Sequence, residues 1–185
     1  LWRKMLKNCK CSIHLAFLYI FFLISCSPDS IEQIPIKDDV PDQESWDVTI
    51  ILSEKGIMRA KIKSGHLEKY NEKSFVFLDS NVVVDFFDKD EKHTSLLNSK
   101  YAEVNQKSNN MKAMGDVIAV SDSGITLFSQ SLIWDAKKEI LFTDERIMVT
   151  TLEKDTLYGV GFESNSDLKN WKIIHPSGVS GKSFN

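Results

Sequence analysis

The chain has 185 residues with 23 basic and 26 acidic side chains, a net charge of −3, which leaves no positive field for nucleic acid. Its 42% hydrophobic content supplies a core for one domain, and only four prolines, eight glycines and three cysteines interrupt it.

Arg3, Lys4, Lys7 and Lys10 precede an apolar run from Ile13 to Phe22, which Leu23-Ile24-Ser25-Cys26 closes. A basic segment, a short apolar segment and a small-residue tetrapeptide ending in cysteine together read as a lipoprotein signal peptide over 1–25, with Cys26 the lipidated residue. An apolar run of about ten residues is too short to span a bilayer comfortably, so cleavage is favoured over a retained helix. Loss of the leader takes Cys9, Cys11 and four basic residues, so the mature charge falls to about −7. Its one remaining thiol carries lipid and no internal disulfide is expected.

Pro28, Pro35 and Pro41 are interspersed with Asp29, Asp38, Asp39 and Asp42, a composition that reads as an extended tether over 26–45. From Asp42 to His175 there is no proline, as expected where backbone N–H groups are committed to sheet ladders. Within this stretch apolar residues recur at period two: Val82, Val84 and Phe86; Ile118 and Val120; Ile140 and Phe142; Ile147 and Val149. Turn chemistry falls at Asn71-Glu72, Asp88-Lys89-Asp90, Asp122-Ser123-Gly124 and Asp135-Ala136-Lys137-Lys138. Residues 57–62 fit either a short helix or an alternating strand, and the strand is preferred; the 160–171 stretch is ambiguous.

The segments 77–84, 113–120 and 142–149 align with one another, each preceded by a second strand at 65–70, 100–105 and 130–135. Two-stranded units cannot bury a face alone, so they must stack and fold over one another. The expectation is an all-β fold, a sheet pair or open barrel, over 46–176, with a tail at 177–185. Alternation places Val82, Val84, Phe86, Ile118, Val120 and Trp134 on an inward wall, which can be a packed core or an apolar groove.

No catalytic constellation accompanies this pattern. The histidines at 14, 66, 93 and 175 lack metal-ligand spacing, and there is no H-E-x-x-H, C-x-x-C or G-x-S-x-G. Asp85, Asp88, Asp90 and Glu91 lack the glycine and terminal glutamate of a calcium loop and read as a charged hairpin. Gly159-Val160-Gly161-Phe162 lacks the third glycine of a nucleotide fingerprint and reads as a bulge. Neither an enzyme nor a cofactor is expected.

Several short motifs occur in a specific order. Phe86-Phe87-Asp88, Ser95-Leu96-Leu97, Lys100-Tyr101-Ala102, Met114-Gly115-Asp116-Val117-Ile118 and Gly124-Ile125-Thr126-Leu127 are followed by Leu132-Ile133-Trp134-Asp135, Phe142-Thr143-Asp144, Gly159-x-Gly161-Phe162-x-Ser164 and Trp171. From about Gly56 to Ile174 this order resembles the LptC family of lipopolysaccharide export proteins, in the form found in Bacteroidetes-type bacteria. The resemblance implies a twisted, partly open β-jellyroll of the kind shared by LptA and LptC. It implies that lipopolysaccharide arrives from an inner-membrane ABC transporter (LptB, LptF and LptG), enters an apolar groove and passes to an LptA-like periplasmic protein. That partner would dock by edge-strand pairing at the C-terminal edge. Many family members keep an N-terminal transmembrane helix; the lipobox predicts a lipid on Cys26 instead, in the periplasm at the inner membrane. The competing expectation is an anchored structural or adhesive surface lipoprotein built of β repeats.

Overall fold

A computed structural model describes residues 40–180. The leader, Cys26 and most of the expected tether and tail lie outside the described residues. Eleven strands follow one another: β1 (Gln43–Glu54), β2 (Ile57–Tyr70), β3 (Phe75–Asp79), β4 (Val82–Phe87), β5 (His93–Ser99), β6 (Tyr101–Asn105), β7 (Met111–Ser121), β8 (Thr126–Asp135), β9 (Ile140–Thr150), β10 (Thr156–Asn165) and β11 (Trp171–Ser180). The strand body therefore begins at Gln43 and ends at Ser180, wider at both ends than the expected 46–176. Residues 57–62 are strand, and the ambiguous 160–171 stretch is the end of β10, a turn and the start of β11. All four turns read from Asn, Asp and Gly chemistry are turns in the structure.

Every pairing is antiparallel, and the order resolves into nine passes of a meander. One half of β2 pairs with β3 and the other with β4, while one half of β7 pairs with β6 and the other with β5. Thus β3 with β4 is one interrupted pass, and β5 with β6 is another. Each interruption sits level with a bend in its neighbours. Ser80 and Asn81 separate β3 from β4 with φ of 60° and 71°, and Gly115 and Asp116 bend β7 with φ of 77° and 49°. In β8 and β10 the bends show as register shifts at Ser129/Ile133 and Val160/Phe162, so the Gly159 to Phe162 segment is the bulge its glycines predict.

A bend breaks the ladder and leaves carbonyls that need donors. Buried hydroxyls supply several of them. Ser64, Ser99 and Ser129 each donate Oγ to the carbonyl two residues ahead, of His66 (2.8 Å), Tyr101 (2.9 Å) and Ser131 (2.8 Å). Where passes meet at the bend, the Gly65 N–H donates to the Ser80 carbonyl and the Lys100 N–H to the Gly115 carbonyl, both at 3.0 Å. Asp79 flanks this junction. A hydrogen bond from the Ser80 hydroxyl holds its carboxyl below the ordinary 3.8, burial opposes that, and His66 adds to the lowering.

Bending brings separate strands face to face over one core, which includes Ile62, Leu78, Val84, Phe86, Leu97, Leu127, Leu132, Trp134, Leu141 and Phe162. Phe86 of β4 meets Trp134 of β8 edge to face, with ring centroids 5.4 Å apart. The turn after β10 closes over β5 and β7: Ser95 Oγ donates to the Ser166 carbonyl, Ser121 Oγ to the Asp167 carbonyl at 2.7 Å, and Leu168 is fully buried. The fold is a twisted, partly open β-jellyroll with unpaired outer edges on β1 and β11 among the described residues. Pro176 lies on β11, where an edge strand tolerates a residue without an N–H.

The bend junction has no room for a side chain at Gly65, because an added Cβ would stand 2.7 Å from the Ser80 carbonyl oxygen. Gly65→Ala is expected to destabilise the domain by about 1–3 kcal/mol in urea unfolding. Gly178→Ala, where the Cβ meets nothing within 4 Å, should change stability by less than about 0.5 kcal/mol.

Candidate lipid-binding interior and open edges

Of the six residues expected on an inward wall, four are brought together. Val82, Val84 and Phe86 alternate inward along β4, and Trp134 reaches them from β8; all four are buried. Ile118 and Val120 are not with them. On β7 it is Val117 and Ala119 that are buried, whereas Ile118 is partly buried on the outer face and Val120 is 37% exposed. The inward assignment of Ile118 and Val120 is therefore corrected by one residue.

The cause lies in the bends. Aligned on its left-handed pair, Ser80-Asn81 corresponds to Gly115-Asp116, so Val82 corresponds to Val117 and the spacing is 35 residues instead of the 36 the sequence alignment used. A one-residue slip exchanges the two faces of a strand. Pairing with β5 enforces the observed phase, because Ala119 faces the fully buried Leu97 while Val120 faces Leu96. Outside, Ile118, Phe128 and Met148 form a cross-strand row that lines a shallow concavity with Asp116, Gln130 and Arg146 at its rim.

The interior is largely filled. One cavity of about 200 Å³ opens between the β1–β2 hairpin and the turns after β6 and β8, with Leu52, Arg59 and Trp134 on its wall. That is below the roughly 300–1,000 Å³ of ordinary ligand pockets, so a lipid can enter further only if the packed faces part. Arg59 is 7% exposed and its guanidinium is held by Glu139 at 2.9 Å, tying β2 to the β8–β9 turn.

Polar clusters elsewhere are explained by local structure. Asp88 Oδ1 accepts the N–H groups of Asp90 and Lys92, and the Lys92 bond is the leading reason its carboxyl lies below the ordinary value. The acidic stretch is thus a hairpin bonded to itself through Asp88 and to β2 through Glu91, which accepts the Met58 N–H at 2.8 Å. Glu44, His66 and Glu68 place one potential metal-ligating atom each within 4.8 Å of one another, the one such trio among the described residues. Glu68 accepts from the Tyr70 hydroxyl at 2.7 Å and His66 Nδ1 lies 3.2 Å from Asp79, so two of the three already have protein partners. Asp122-Ser123-Gly124 is the β7–β8 turn, with Asp122 beside His93 at 3.0 Å. No described helix is long and apolar enough to cross a membrane.

A wound antiparallel sheet with an apolar interior and two free edges defines a β-jellyroll scaffold. The chain belongs to the LptC-related lipopolysaccharide-assembly family, whose model matches residues 12–177. A solved structure similar to it is that of LptH, the LptA homologous periplasmic component of the lipopolysaccharide transport device of Pseudomonas aeruginosa. The two are 10% identical, with 62% of this chain and 80% of that chain covered and a TM-score of 0.49. No curated protein sequence matches significantly.

The two faces of the sheet should respond differently to substitution. Phe86→Ala removes a buried ring from the Trp134 contact and is expected to cost about 3–5 kcal/mol in urea unfolding. Val120→Ser, on the outer face, should cost less than about 1 kcal/mol. Equal losses would restore the inward assignment of Val120.

Proposed function

We propose that this protein is the lipopolysaccharide-binding component of the envelope export bridge. It receives lipopolysaccharide from an inner-membrane ABC transporter of the LptB/LptF/LptG type and passes it to an LptA-like periplasmic protein. The protein moves lipid without bond-breaking chemistry of its own. The observation that carries this reading is the combination of an apolar interior with free edges on both terminal strands. Acyl chains require the first, and head-to-tail assembly by strand addition uses the second. Membership in a lipopolysaccharide-assembly family supports the same conclusion.

Entry of acyl chains parts the packed faces, exposing Val82, Val84, Phe86 and Trp134 to lipid. The β11 edge is the docking side for the LptA-like partner, and the β1 edge faces the transporter. Backbone groups on an edge supply main-chain hydrogen bonds independent of side-chain identity. A photo-crosslinking residue at Phe86 is expected to yield lipopolysaccharide adducts in cells and one at Val120 to yield none. One at Ile174 in β11 should capture the periplasmic partner. Absence of adducts at every inward position would remove the conduit reading and leave an anchored structural lipoprotein.

Lipid on Cys26 holds the jellyroll at the inner membrane in the periplasm, and the proline-rich segment after it supplies reach. Cys26→Ala is expected to abolish incorporation of labelled fatty acid and to weaken export. Export at the normal rate without the lipid would show that anchoring is dispensable.

A further inference from the structure

Two buried donors, carried by residues that line one cavity, have no acceptor in the protein. Trp134 is 2% exposed and Arg59 7% exposed, yet neither the indole Nε1–H nor the guanidinium Nε–H makes a hydrogen bond. Both residues line the same cavity of about 200 Å³, together with Leu52 and Ala136. Buried N–H groups are almost always paired, and both of these groups can only donate. An oxygen acceptor that entered from the cavity as the packed faces part would satisfy both donors.

Charge narrows the chemistry. The charged side chains lining the cavity are Arg59, Lys137 and Glu54, and the Arg59 guanidinium is already compensated by Glu139 at 2.9 Å. With the signs balanced, a phosphate or carboxylate would bring an uncompensated charge into a half-apolar site, at a desolvation cost that a neutral carbonyl avoids. Apolar neighbours favour an acceptor carried on hydrocarbon. The cavity also borders the core through Trp134, whose ring packs on Phe86.

We propose that this cavity seats the ester or amide carbonyl that links an acyl chain to its head group, with Trp134 Nε1–H and Arg59 Nε–H as donors. The inference rests on the lipid-conduit reading and adds a polar checkpoint at the mouth of the interior. A carbonyl held there fixes how far each chain enters, leaving the head group outside and the chain directed toward Phe86. Hydrocarbon without a carbonyl gains none of this and leaves both donors unpaired.

The test is a titration of the full chain, labelled with ¹⁵N and with ¹³C at the leucine and valine methyl groups, with 1-decanoylglycerol, with the matched ether 1-O-decylglycerol, and with inorganic phosphate. The Trp134 indole resonance is identified by its loss in Trp134→Phe, which keeps an aromatic ring beside Phe86 and removes the donor together with part of the ring volume. The ester is expected to move that resonance to the hydrogen-bonded range and to bind roughly fivefold more tightly than the ether. Trp134→Phe should bring the ester down to the affinity of the ether and leave the ether unchanged. Arg59→Lys, which keeps the charge facing Glu139 but lacks Nε, should lower ester affinity in the same direction and serves if the tryptophan variant fails to fold.

Equal affinity for ester and ether would overturn the proposal. So would a shift produced by phosphate alone, or an indole already hydrogen-bonded to water and unmoved by the ester. If both probes perturb the methyl groups of Leu97 and Val84 while Trp134 stays silent, the carbonyl site fails and the conduit reading stands. If neither probe perturbs those methyl groups, both fail.

Discussion

Bending of successive strand passes at nearly the same level is the constraint on which the rest of this protein depends. A flat antiparallel meander of nine passes would leave one apolar face in water. Bent along one line, it folds over that face. The bend has a backbone cost: left-handed residues at Ser80, Asn81, Gly115 and Asp116, and carbonyls detached from the ladder. Three buried serine hydroxyls and the close approach at Gly65 offset it, which is why small polar residues occupy an otherwise apolar wall.

The same bends build the candidate site. They bring Phe86 against Trp134 and place Arg59 beside the turn after β8, so the mouth of the interior is assembled from strands far apart in sequence. They also leave the sheet unclosed, because a meander that folds over without joining its ends keeps β1 and β11 as edges. An apolar interior and two unpaired edges are thus two consequences of one geometry.

Much of this was legible in the sequence. Period-two alternation, the absence of proline from Asp42 to His175 and four polar turns identified the strands, and the ordered short motifs pointed to the LptC family. The phase of β7 was not legible. Ile118 and Val120 are larger than Val117 and Ala119, and a reader of hydrophobicity turns the larger residues inward. Nothing in a lone Gly-Asp pair states that both residues adopt left-handed conformations. The polar mouth was hidden for a different reason: Arg59 reads as an ordinary surface cation until Glu139 is brought to it.

The sequence by itself determined the strands, their turns and the family, because alternation and turn chemistry are local properties of neighbouring residues. Only the tertiary structure decided which alternate residues face inward on β7, that a small cavity opens beside the packed interior, and that Arg59 and Trp134 both line it. Those facts depend on the register between passes and on the line of bends. A single residue of slip at a bend reverses a whole face, and no local pattern records it.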